Sequence, residues 1–487
     1  MEQTYGLIVL LGGFVLLTVL VIRGHSIFVA APLCALLILV LSGADPIAGM
    51  SGKFMGGFAD YMRQFFLIFV LGAAFGKVME DSGAAASIAH GVVRVVGARW
   101  ACLAVVLACA VLTYGGVSLF VVGFSVYPLA VRLFREADLP RRFIPATIAF
   151  GSVTFTMTSA GSPEIQNLIP IKFLVDKLTG EPLTDAMAGW PTSLIVAVVM
   201  FGLGQAYLEW AIRRDLARGE RFERRPGDDG ESPRIAEPCE SSAPSQPNSA
   251  PGVLLSVTPL LVTLLALNAL PLLAKLLPEA ASAESVVSTD WSPTVRRGLL
   301  KFRDEPTLAI FAGVLASLGC LRRYLTSCWQ PMGDGFVNGL LAIGSTSSVV
   351  GFGTSLRDLP AFQQLVDWVT HLPVDPLIGA ALAVAIIAGI AGSASGGQGL
   401  ALPIVKPIFV DELGVAPRAL HRVVAIASGS LDTMPANGYL VMLIRNICGE
   451  THARAYGPIF VTTAFIPLFG TALAIALFKL FPSWQWM

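Results

Sequence analysis

Between two apolar runs, 377–391 and 400–410, the chain reads Gly392-Ser393-Ala394-Ser395-Gly396-Gly397-Gln398-Gly399. Glycine ends a helix cheaply and lets backbone approach backbone, so this run predicts a break. If the apolar runs lie in lipid, the break lies at membrane depth. Irregular backbone survives there only where protein or a wet cavity surrounds it. An earlier stretch, Tyr114-Gly115-Gly116-Val117-Ser118, divides the apolar runs 101–113 and 117–133 in the same way. Arginines flank it on both sides, so 101–131 enters and leaves on one side. Its 31 residues are too few for two full spans of about 20 residues and a turn. Both stretches therefore predict hairpins that go part way and return.

Composition supports the lipid reading. Of 487 residues, 54% are hydrophobic and 14% charged, with a mean hydropathy of +0.70. A soluble protein carries about 25% charged residues, and this chain has too few to coat soluble domains. Lys+Arg and Asp+Glu are equal at 33 each, which favours no nucleic acid and no acidic partner. The seven cysteines show no metal-binding spacing. Tyr5 opens a retained first span, 5–22, since no basic n-region or cleavage site precedes it. Further spans are expected at 27–41, 65–78, 144–158, 191–210, 253–277, 308–321, 336–352, 423–434 and 459–481. The segment 213–251 begins with six arginines and continues in Ser, Pro, Glu and Asn. It cannot bury apolar area and reads as a disordered cytoplasmic linker.

The halves on either side of that linker match. Pro140-Arg141 recurs as Pro417-Arg418, a shift of 277 residues. The same shift brings Phe75-Gly76 onto Phe352-Gly353, Gly115 onto Gly392, Ser118 onto Ser395 and Thr156-Met157 onto Thr433-Met434. Lucky register among helices of similar length is the competing explanation. Lys and Arg mark cytoplasmic loops. Arg23, Arg94 and Arg99, Arg132 to Arg142, and the basic linker all fall inside if the N-terminus is outside. The second copy then starts inside and runs upside down. Arg296, Arg297, Lys301 and Arg303 fall on the outer side in this scheme. The expectation is an all-α polytopic membrane protein of about 12–14 membrane segments. It comprises a first repeat (1–212), the linker (213–251) and a second, inverted repeat (252–487), each with broken helices and a re-entrant hairpin. Broken helices at matching places in two halves point to a transport site.

Two more polar stretches interrupt apolar runs. One holds Thr154, Thr156, Thr158, Ser159, Ser162, Glu164, Gln166 and Asn167. The other is Ser428-Gly429-Ser430-Leu431-Asp432-Thr433-Met434-Pro435-Ala436-Asn437-Gly438. Neutral donors beside a helix N-terminus suit a carboxylate that must later be released. For a single Ser or Thr, capping or close packing is the stronger reading; for the four stretches together, a binding site is. The ligand set expected is Ser118, Thr158, Ser159, Ser162, Asn167, Ser393, Ser395, Ser428, Thr433 and Asn437. Asp432 and Glu164 are ionisable groups at membrane depth, which defaults to a functional role. They are the candidates for coupling to H+, or to Na+ held with backbone carbonyls. The histidines, His421 and His452 among them, read as interfacial. No nucleophile–base set, phosphate loop, dinucleotide fingerprint or HExxH helix is present, so no catalytic or metal-ligating residue and no cofactor is expected.

The run from Gly115 to Phe120, the run from Leu139 to Pro145 leading to Thr154–Thr158, the Gly392–Gly397 break and the run from Ala427 to Gly438 together resemble the gluconate permease (GntP-type) family. That family belongs to a superfamily that includes citrate and dicarboxylate carriers. The resemblance covers most of the chain outside the linker. It implies an inner-membrane symporter that takes up a gluconate-like sugar acid or hydroxy monocarboxylate with protons, and a homodimer. Related permeases often carry His between the Pro and the Asn of the last run, where this chain has Ala436. Sodium-coupled di- or tricarboxylate carriage and cation/proton antiport are the alternatives.

Overall fold

The computed structural model describes residues 2–23, 25–224, 250–271, 273, 306–364, 374–435 and 437–487. All regular elements among them are helical, apart from one isolated bridge between Val175 and Pro182. The linker core (225–249), the arginines at 296–303, His371 and Ala436 lie outside the described residues.

The first half opens with α1 (Glu2–Ile22) and α2 (Ile27–Leu41), then the long α3 (Met55–Asp81) and the short α4 (Ala84–Val96). The hairpin follows as α5 (Ala101–Tyr114) and α6 (Leu119–Glu136). Next come α7 (Ile144–Ala149), which widens into a π turn over Phe150–Thr154, then α8 (Ile165–Phe173) and α9 (Trp190–Ala217). The second half contains α10 (Val253–Leu264), α11 (Thr307–Leu321) and the long α12 (Trp329–Leu356). Its hairpin is α13 (Pro376–Ala391) and α14 (Ala394–Val405), followed by α15 (Pro417–Leu431), α16 (Gly438–Val441), α17 (His452–Phe460) and α18 (Ile466–Leu480). Pairs of like elements therefore recur near the 277-residue shift: α3 with α12, α5–α6 with α13–α14, and α7 with α15. Both hairpins turn at the glycines read from sequence. Gly116 and Gly392 carry φ of +91° and +61°, a left-handed conformation that glycine adopts without strain.

Some boundaries move. The spans expected at 65–78 and 336–352 grow into α3 and α12, 27 and 28 residues long. The helices α4 and α8 were not expected at all. The linker was expected to begin at 213, yet α9 continues through Arg213 and Arg214 to Ala217.

The centre of the fold is the antiparallel pair α3 and α12. A Cβ on Gly335 would lie 2.4 Å from Ala74 Cα, one on Gly339 2.6 Å from Val70 Cα, and one on Gly351 2.7 Å from the Phe54 carbonyl oxygen. The partner number falls as the glycine number rises, so the helices run in opposite directions. Lys53, just before α3, accordingly meets Asp358, just after α12, 2.7 Å away. Small residues let the two backbones touch, and close contact is the source of helix association in lipid. Outward, α9 exposes Leu194, Val198 and Leu203, and α18 exposes Leu468 and Phe469. Such a surface is compatible with lipid, not water.

At one rim, Lys177 in the loop after α8 and Lys406 at the end of α14 each stand 3.1 Å from Asp411. Burial pushes the Asp411 carboxyl up, but the two ammonium groups outweigh it and hold it below the usual aspartate value. A lowered folded-state pKa adds stability in full above the unfolded value, and the gain is lost as pH falls through the folded value. Hydrogen-exchange protection of the 174–183 loop, taken relative to the intrinsic rate at each pH, is expected to fall on acidification through that window. Asp411→Asn should show the low protection already at neutral pH.

Candidate functional site

The four polar stretches meet. Tyr114 at the first break donates to the Ala160 carbonyl in the second stretch (2.8 Å). Gln398 in the third donates to the Gln166 carbonyl of the second (3.1 Å) and to Ser428 Oγ of the fourth (2.8 Å). Asn437 of the fourth donates to the Gly392 carbonyl of the third (3.2 Å). Residues spread over more than 300 positions thus form one polar cluster inside an apolar shell.

Local sequence explains each placement. Ser393 caps α14, accepting from the Gly396 amide at 3.2 Å, and Ser118 occupies the equivalent position before α6. Asn437 caps α16 through Leu440 N (3.0 Å). Glu164 stands at the start of α8 without capping it. Gly397 sits where a Cβ would be 2.3 Å from Ala388 Cα, so the arms of the second hairpin touch at backbone level.

The expected ligand set divides in the structure. Several members are committed to the protein itself. Thr158 and Ser159 hydroxyls bond carbonyls four residues back, and Ser428 Oγ bonds the Ala425 carbonyl. Thr433 and Thr463 are joined through their hydroxyls at 2.9 Å. Asn167 donates to the carbonyls of Ser162 and Ala186 (2.8 and 3.0 Å), and Ser162 Oγ accepts from Glu164 N (3.3 Å). Ser393 and Ser395 hydroxyls face each other at 3.2 Å. Ser118 is half-buried beside Gly76.

The two carboxylates behave differently. Both are buried, with relative exposures of 9% for Glu164 and 5% for Asp432. Asp432 Oδ1 has no hydrogen-bond partner, and its carboxyl faces the Ala394 amide that opens α14. No hydrogen bond reaches the Glu164 carboxylate among the described residues. A buried carboxylate with no cationic partner needs a counter-charge, and a proton or a cation supplies it.

Arg422 and His421 were missed by sequence reading. His421, expected at an interface, is fully buried between Thr184 Oγ1 (2.8 Å) and Asn167 Oδ1 (3.2 Å). Arg422, also fully buried, donates to the carbonyls of Ala188 (2.9 Å), Thr158 and Ala186 and to Asn167 Oδ1 (3.0 Å). All its partners are neutral oxygens. A cation on an otherwise apolar helix face was the available signal.

A polar cluster of broken helices with two buried carboxylates that no cation among the described residues faces is the architecture of a carrier, and the comparisons agree. The model of the CitMHS family, described as citrate transporter, matches residues 14–356. The chain belongs to the citrate transporter family. An uncharacterized transporter of Bacillus subtilis (strain 168), YxjC, is 36% identical over 468 residues, covering 94% of this chain and 95% of that protein. The high-affinity gluconate transporter of Escherichia coli (strain K12) is 33% identical over 124 residues only, 25% of this chain and 27% of its own length. The gluconate-permease likeness is thus confined to a short stretch, while the citrate transporter match is broad. In fold, the chain is similar to the Alcanivorax borkumensis YdaH transporter, whose crystal structure is described as having an unusual topology. The TM-score is 0.54 at 17% identity, with 90% of each chain covered. The protein is therefore a membrane transporter and not an enzyme.

Proposed function

We propose that this citrate transporter family member is a secondary active symporter of the bacterial inner membrane, taking up a small hydroxylated organic anion with protons. A gluconate-like sugar acid or hydroxy monocarboxylate is the first reading. A citrate-like tricarboxylate carried with sodium is the second, favoured by the family match over residues 14–356. The observation that carries the proposal is the convergence of four helix breaks on a buried site where Asp432 Oδ1 has no partner. Asp432 is the coupling group, with Glu164 in support. Antiparallel packing of the equivalent helices α3 and α12 supports two inverted repeats, since both are long and apolar enough to span. Rocking of one repeat element against the other then exposes the site to each side in turn.

Uptake into proteoliposomes tests this. A proton gradient should drive accumulation of the acid, and Asp432→Asn should reduce it to the passive level while the protein stays folded. Undiminished proton-driven uptake in Asp432→Asn removes that residue from coupling. Uptake driven by sodium alone selects the second reading.

A further inference from the structure

Two amides at the centre of the site are half used. Gln398 is fully buried and spends its NH2 on the Gln166 carbonyl and Ser428 Oγ. Its Oε1 meets nothing, and neither does Oε1 of Gln166, which is 8% exposed. Both oxygens are acceptors, and no donor among the described residues reaches them. The Ser428 hydroxyl hydrogen points to the Ala425 carbonyl. The Arg422 N–H groups with assigned partners are held by backbone carbonyls and Asn167. A carboxylate cannot fill the gap, because it too only accepts. An alcohol can, because it donates.

We infer that Gln166 and Gln398 form a subsite that reads a hydroxyl group of the transported acid. The inference rests on the transport reading above and adds a rule for selectivity. An acid that keeps its hydroxyl satisfies a buried acceptor, whereas its des-hydroxy counterpart leaves that acceptor unpaired. A site built to bond a hydroxyl rejects the analogue lacking it far more strongly than an apolar pocket rejects a missing methylene.

Matched acids differing by one hydroxyl provide the test: gluconate with 2-deoxygluconate, citrate with tricarballylate, malate with succinate, lactate with propionate. Each is titrated against the full-length purified protein, with thermal stabilisation as readout and competition for uptake as a second measure. For the pair that binds, the hydroxylated member should bind about tenfold or more tighter. Gln166→Met should bring the two members together, because the Gln166 side chain makes no hydrogen bond among the described residues that the change would break. Gln398→Met should do the same in any fraction that folds. Equal affinities within every binding pair in the unmodified protein would overturn the inference, as would undiminished preference in Gln166→Met. Stabilisation by sodium alone that vanishes in Gln166→Met would also overturn it, assigning the oxygens to a cation. If no acid of any pair binds or is transported, the function proposed above falls with it.

Discussion

Arg422→Met is expected to be the most damaging single change near the site, lowering stability by about 3 kcal/mol or more. The guanidinium ties α15 to three carbonyls of the 158–188 region and to Asn167. Methionine has similar length but no donors, so the buried carbonyls of Thr158 and Ala188 lose the guanidinium together, while the Ala186 carbonyl keeps Asn167 and the Gly161 amide. His421 would also lose the fixed orientation of Asn167 Oδ1, which both side chains share. Arg422→Lys should rescue little, because a point charge cannot copy a planar fork that reaches several carbonyls at once. Thermal unfolding in detergent measures this. A lysine variant as stable as the parent would show that charge alone matters there.

The second large effect is expected from the paired glycines of α12. In Gly335→Val combined with Gly339→Val, each new Cβ lands within 2.6 Å of an α3 backbone atom. Backbone cannot give way as a side-chain tip can, so the helices must part. Overpacking at one such place costs about 1–3 kcal/mol, and two on one seam should prevent assembly. Gly333 is the control. A Cβ there meets nothing within 4 Å, so Gly333→Ala should be neutral or slightly stabilising, alanine being the better helix former. Size-exclusion profiles and unfolding midpoints separate the outcomes. A double valine variant that assembles normally would contradict the close packing of α3 and α12.

These two cases also show what a sequence discloses and what it conceals. The hairpin turns at Gly115-Gly116 and Gly392 were legible because glycine, proline and serine interrupt apolar runs, a signal that needs no partner. The recurrence of α3 as α12 and of α7 as α15 was legible because the 277-residue shift preserves local residue types. Helix α4 was not, because Ala84-Ala85-Ala86-Ser87 carries little apolar weight and the helix owes its burial to neighbours. Arg422 was hidden for another reason. Its partners lie more than 230 residues back in the chain, and no local pattern reports them. The hydroxyls were easy to find but ambiguous. Thr158, Ser159 and Ser428 each bond a carbonyl three or four residues back, a local choice open to any Ser or Thr at membrane depth. The unpaired Oε1 atoms of Gln166 and Gln398 emerge only when every neighbouring donor has been assigned.

The central claim is that an organic anion rests among the broken helices of both halves, within reach of Ser118 and Ser393, which stand at the starts of α6 and α14 and are each half-buried. Single cysteines at these two positions, in a background with the seven native cysteines replaced, can be challenged with a membrane-impermeant maleimide. Both are predicted to react, and a saturating transported acid is predicted to protect both. Labelling of both that the acid leaves unchanged, or no labelling of either, would contradict the account.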